Sequence, residues 1–126
     1  AGEIMIHGHA GNEVGCFMRK GIIKVYGDVG SFAGMHMRNG TIFVQGNSEG
    51  RAGAEMTDGK IVVCGYIPSI LPTFTIDSIR PKVKVNKEEA QGPFYRFTGD
   101  LADHGDGKLF VSQTKNPHLK SYEEYL

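Results

Sequence analysis

Five histidines, two cysteines and a few acidic clusters are the side chains in this sequence that could do chemistry. His7-Gly-His9 is the most metal-like pattern, because alternate side chains of an extended segment share a side and two imidazoles could reach one ion. No third ligand recurs with them: His7 stands in a column with Tyr26, Gln45 and Cys64. His36, His104 and His118 are isolated and read as surface or hydrogen-bonded histidines. Cys16 and Cys64 have no CxxC spacing and are expected to be thiols, and a four-cysteine iron–sulfur or zinc site needs more ligands than the chain owns. Asp100, Asp103 and Asp106 lack the ligand spacing and closing glutamate of a calcium loop and read as a turn between strands. Gly27-Asp-Val-Gly30 lacks GxGxxG spacing, no GK[ST] occurs, and neither a nucleophile elbow nor a Ser/His pair with an orienting acid is present. No catalytic, cofactor-binding or metal-ligating residue is assigned on this chain.

The elements that would hold such groups are set by a repeat. Gly2-Glu-Ile-Met-Ile-His-Gly8 recurs as Gly21 to Gly27, Gly40 to Gly46 and Gly59 to Gly65, at a constant offset of 19. Gly15, Gly34 and Gly53 share one column, and Met18, Met37 and Met56 share another, which reads as a thioether ladder in the core rather than a copper site. The third unit drifts, with Glu49 where Gly11 and Gly30 stand, so that corner is expected to be remodelled. The columns Ile4, Ile23, Ile42, Ile61 and Ile6, Val25, Val44, Val63 are β-branched, while Met5, Lys24, Phe43 and Val62 between them are mixed. That is a short strand with one apolar face. One such strand cannot bury its face alone, and copies stacked in parallel can. Burying the eight Ile and Val side chains is worth on the order of 12–24 kcal/mol before entropy. His9, Asp28, Asn47 and Tyr66 follow the strands, and Asp and Asn there predict Asx-type turns.

The repeat predicts coils over residues 1–65. Residues 66–126 belong to the same domain as cap, basic run, hairpin and tail. Pro68, Pro72 and Pro81 break further regular coils, and Ile67, Ile70, Leu71, Phe74 and Ile76 suit a cap over the last coil. Arg80 to Lys87 is a basic extended run, read as a solvated strand or as a contact for an acidic partner or anionic tail. Phe94 to Thr98 and Lys108 to Ser112 predict a hairpin, and the tail from Asn116 to Leu126 is either a docking segment or a loose terminus.

Fourteen basic residues balance fourteen acidic ones, so no net field favours nucleic acid, and apolar runs of four or five residues are far short of the ~18 that span a bilayer. No basic-then-apolar leader opens the chain, and a cytoplasmic location is expected. The amino-terminal coil carries no visible cap, which leaves self-association there as an expectation. The chain opens inside a repeat and is expected to be the carboxy-terminal part of something longer.

The 19-residue glycine unit resembles the GXGXG β-helix domain found in the glutamate synthase large subunit and in the β-helix subunit of formylmethanofuran dehydrogenase. Gly65-Tyr-Ile-Pro-Ser-Ile-Leu-Pro-Thr-Phe74, Phe97-Thr-Gly-Asp-Leu-Ala102 and Gly107-Lys-Leu-Phe-Val-Ser112 are more similar to the dehydrogenase family. The resemblance covers nearly the whole chain, although members of that family are longer at the amino end. It implies an all-β fold, a single-stranded right-handed parallel β-helix with 19-residue coils. It also implies a scaffold role, not catalytic alone, in an oxidoreductase complex of methanogenesis and one-carbon metabolism that reduces CO2 onto methanofuran. Tungsten or molybdenum pterin, iron–sulfur clusters and zinc are then expected on partner subunits of molybdopterin and amidohydrolase type, with no cofactor here. The corresponding β-helix subunit of the formyltransferase/hydrolase complex, or a stand-alone or glutamate-synthase-like structural solenoid, shares the repeat. An acyltransferase on a hexapeptide helix does not, since six does not divide 19.

Overall fold

The structure is a computed structural model and describes residues 2–126. Four short strands, β1 (Glu3–Ile6), β2 (Ile22–Val25), β3 (Thr41–Val44) and β4 (Lys60–Val63), stack in parallel with every residue paired to the one 19 positions on. β5 (Thr75–Val85), β6 (Glu88–Gly99) and β7 (Gly107–Ser112) complete a seven-stranded sheet of order β1-β2-β3-β4-β7-β6-β5. The fold is an all-β parallel β-helix, as the repeat predicts.

The repeat does not foretell the fifth rung. After leaving the coil at Gly65 the chain returns through β7, which pairs in parallel with β4 and places Leu109 over Ile61 and Val111 over Val63. β7 also takes the predicted hairpin partner, β6, antiparallel from Phe94 opposite Ser112 to Gly99 opposite Gly107. β7 therefore joins the coil stack to the cap.

Burial of the β-branched columns rises along the stack. Val25, Ile42, Val44, Ile61 and Val63 are fully buried, Ile6 and Ile23 are partly so, and Ile4 is 58% exposed. The core estimate for eight side chains is thus too large by most of Ile4. Met37 and Met56 are fully buried and Met18 packs against the same core. The apolar cap residues Ile67, Ile70, Phe74 and Ile76 close its upper end.

Two glycine columns allow this packing. Gly34 has φ +70°, and a Cβ there would stand 2.5 Å from Ile61 Cδ1 in the core. Gly27, Gly46 and Gly65 lie so close to the coil before them that a Cβ would meet a glycine carbonyl oxygen at 2.4–2.6 Å. Left-handed backbone is not confined to glycine, however: Glu13, Phe32 and Arg51 form one such column, and Phe17, His36 and Glu55 another.

The corner at Glu49 is not remodelled. Val29 pairs with Ser48 and the path continues in register, with one hydrogen bond moved: the Glu49 N–H reaches Val29 O where the Gly30 N–H reaches Gly11 O. The cause lies one coil below. Asn12 Oδ1 crowds the place of a Cβ on Gly30, whereas below Glu49 the matching residue is the shorter Ser31.

Candidate functional site

The sequence-predicted chemistry disperses in space. His7 stacks on Tyr26, with ring centroids 5.4 Å apart, while His9 Nδ1 accepts the Asp28 N–H at 2.8 Å, so the two imidazoles serve different neighbours. Among the described residues no group of three or more His, Cys, Asp or Glu side chains converges as metal ligands. Both cysteines are free thiols. Burial pushes the Cys64 thiol up to about 11 and, with Glu13 nearby, raises Cys16, so neither is an activated nucleophile.

The predicted Asx turns are a ladder between coils instead. His9 Nδ1, Asp28 Oδ1 and Asn47 Oδ1 accept the backbone N–H of Asp28, Asn47 and Tyr66 at 2.7–2.8 Å, each 19 residues on. A short polar side chain at this corner satisfies a donor of the next coil, which local turn chemistry cannot foresee.

Asp100 is the buried acid of the predicted turn. Its carboxylate accepts the N–H of Glu55 at 2.8 Å and of Ala102 at 3.0 Å, tying the cap to the third coil. Burial pushes its pKa up, but hydrogen bonds from Thr73 and these two amides outweigh burial and hold the carboxyl below its ordinary range.

Three polar arrangements had no sequence signal. Lys24, on the mixed outer column, is only 6% exposed; its Nζ donates to Glu88 Oε1 at 3.0 Å and lies 3.6 Å from Glu3. The Glu88 hydrogen bond raises its pKa against the effect of burial. Arg96 donates to Asp77 at 2.6 Å, and the Thr98 hydroxyl lies between Asp77 and the Lys108 ammonium. Burial raises the Asp77 carboxyl, yet bonds from Thr98, Arg96 and Ser78 bring it below the usual range. Tyr95 donates to Glu123 at 2.6 Å, and burial with that bond pushes the phenol up to about 12. In each case the carboxylate is held by a donor, a cation for Glu88 and Asp77 and a neutral phenol for Glu123, which favours fixed structure over proton transfer.

The β5–β6 hairpin lies over the outer face of the coils. Val83, Val85 and Phe94 pack on Val62, Phe110 and Phe43, and the tip reaches the first coil through Asn86, which donates to Glu3, and the second through Glu88, which accepts from Lys24. The basic run is thus the outermost strand of the sheet. Pro81, two register shifts and exposed Arg80, Lys82 and Lys84 are features that keep such an edge from pairing. Lys60 Nζ also donates to Lys84 O at 2.8 Å. The tail is docked: Pro117–Tyr125 forms a 3₁₀ helix, Leu119 is buried and Tyr122 sits edge-on to Phe97.

At the opposite end the surface differs. A hollow of about 600 Å³ is lined by β1 and the Gly15–Lys20 segment, and Ile4, Met5 and Phe17 are exposed beside it. Among the described residues no helix is long and apolar enough to cross a membrane.

No protein-family model and no curated protein matches this sequence. Among solved structures, a chain of the formyltransferase/hydrolase complex from Methylorubrum extorquens, determined with methylofuran, is similar in part: 18% identity over 87% of this chain and 70% of that one, at a TM-score of 0.38.

Proposed function

We propose that this chain is a non-catalytic scaffold subunit of a methanofuran-linked one-carbon complex, of the formylmethanofuran dehydrogenase type. The observation that supports it best is the convergence of the three segments that carry the resemblance. Gly65 to Phe74 lies well before Phe97 to Ala102 and Gly107 to Ser112 in sequence, and all three meet at one corner. A Cβ on Gly99 would stand 2.7 Å from the Phe74 ring, the Leu101 N–H donates to Thr73 O at 2.9 Å, and Phe97, Thr98 and Gly99 pair with Leu109, Lys108 and Gly107. Residues that must fit one another change together, so likeness in all three is likeness in one packed unit.

The hydrogen-bonded acids, raised thiols and dispersed histidines agree with a role in holding partners. In this reading the metal pterin, iron–sulfur and zinc centres belong to molybdopterin-type and amidohydrolase-like subunits, and the whole assembly is cytoplasmic. A pull-down of the parent protein from native extract, followed by mass spectrometry, tests it. Recovery of a pterin-type subunit supports the dehydrogenase form, and amidohydrolase-like and formyltransferase subunits without one support the transferase/hydrolase form. Recovery of the chain alone, or of glutaminase and flavin domains, overturns both.

A further inference from the structure

We infer that residues 82–91, the far half of the β5–β6 ribbon, form a hinged strap that lifts from the outer face of the coils as a unit while the coil stack stays folded. The ribbon is divided at one line. Arg80 pairs with Phe94 and Lys82 with Gln91, which leaves Pro81 on one strand and Gly92 and Pro93 on the other outside the register. A Cβ on Gly92 would meet Pro81 O at 2.8 Å and Arg80 O at 2.9 Å, so the two strands press together where the ribbon turns. On the near side of that line β6 is fixed to β7 through the Phe94–Gly99 ladder and by the Gln113 N–H on Pro93 O. On the far side, among the described residues, no main-chain hydrogen bond joins 82–91 to a coil.

Side chains therefore fasten the strap. Val83 and Val85 are buried in a cluster with Val62, Phe94 and Phe110 that is separate from the main core. Three polar contacts complete the attachment: Glu88 accepts from Lys24, Asn86 donates to Glu3, and Lys84 O accepts from Lys60. Lys82, Lys84 and Gln91 leave the other face exposed. A segment with few apolar contacts, one solvated face and no main-chain bond to its support opens at a lower free energy than the whole fold. Once lifted, a lone two-stranded ribbon is marginal in water. Its release also has a defined consequence. Phe43, Val62 and Phe110 stand in register on the adjacent strands β3, β4 and β7 and pack with the strap's cluster, so lifting it presents a Phe–Val–Phe strip to solvent.

Val62 is fully buried, and a thiol placed there reports on the strap. In a Cys16→Ser, Cys64→Ser, Val62→Cys chain, a thiol reagent should modify the introduced sulfur at least a hundredfold faster than global unfolding of the same chain, followed by circular dichroism, allows. Low urea should change that rate little, since a local opening exposes little surface. Val85→Ala in this background should raise the labelling rate at least tenfold more than it raises the rate of global unfolding. Labelling that tracks global unfolding in rate and urea dependence overturns the inference, as does labelling that Val85→Ala leaves unchanged. A second variant is independent of the thiol. With residues 82–91 replaced by Asn-Gly, the chain should still unfold in one cooperative transition and should bind the apolar dye ANS more strongly than the parent. Loss of the cooperative transition, or no gain in dye binding, also overturns it.

Discussion

Asn116 holds Ile67: its side-chain oxygen accepts the Ile67 N–H at 2.8 Å, while its amide donates to Gly65 O at 3.0 Å and to Ser112 O at 2.7 Å. Beside the His9–Asp28–Asn47 ladder, this side chain from outside the repeat satisfies the backbone where the last coil leaves the stack. Asn116 is fully buried.

Asn116→Ala leaves one donor and two acceptors without partners in the interior, each costing about 1–3 kcal/mol. A loss of about 3 kcal/mol or more is expected in urea unfolding. A loss below 1 kcal/mol would mean that water enters and replaces the amide.

Gly34→Val combines a strained φ with a Cβ 2.5 Å from Ile61 Cδ1, and should cost more than 1 kcal/mol. Gly50→Ala is the matched control. Gly50 has no positive φ and its nearest atom is Ser69 Oγ at 3.8 Å, so alanine there should be neutral or slightly stabilising. Equal melting midpoints for the two variants would remove backbone conformation as the reason for the glycine column.

The coil stack was legible because its cause is periodic: glycine, β-branched and methionine columns repeat where the same contact repeats. β6–β7 pairing was legible from local alternation. The fifth rung was not, since β7 lies 48 residues from the position it stacks on in β4, and nothing periodic connects Lys108 to Lys60. The Lys24 ion pair carried no sequence signal for a related reason. An outer-face lysine reads as solvated unless a distant hairpin covers it, and that hairpin is set by tertiary packing of Val83, Val85 and Phe94. The ladder residues were noticed by position, but their role depends on a donor one coil away.

Asp77 and Asp100 predict how stability responds to acid. Both carboxyls are held below their ordinary range in the folded chain. Their contribution is therefore fully present above the unfolded value near ~4 and is lost as pH falls through the lower folded values. Melting midpoints should be insensitive to these two groups from pH 5 to 7 and fall below pH 4. Asp100→Asn should lower the midpoint at pH 7, and its difference from the parent should shrink toward pH 2.5. A difference that stays constant over that range would assign the loss to packing alone.

Lys24 gives the opposite test, of whether a buried ion pair stabilises the fold or only fixes the hairpin's position. Its ammonium is raised by Glu88, so the charge persists at neutral pH and the contribution is lost only as pH rises through a value above the ordinary lysine range. Glu88 is largely exposed, at 77% of its side chain, and Glu3 remains 3.6 Å away when Glu88 is removed. Glu88→Gln should accordingly cost no more than about 1 kcal/mol. Lys24→Met keeps the stem packed beside Phe43 and removes a desolvated charge, and it should be neutral or stabilising in urea, because desolvation offsets the attraction of such pairs. Removing both acids is the damaging change: Glu3→Gln with Glu88→Gln strands the buried ammonium and should cost about 3 kcal/mol or more. Amide exchange at Val83 to Gln91 separates the two roles. Faster exchange there in Lys24→Met, with global stability unchanged, identifies the pair as the device that seats the hairpin tip. A global loss of several kcal/mol in the same variant would instead make the pair a net source of stability.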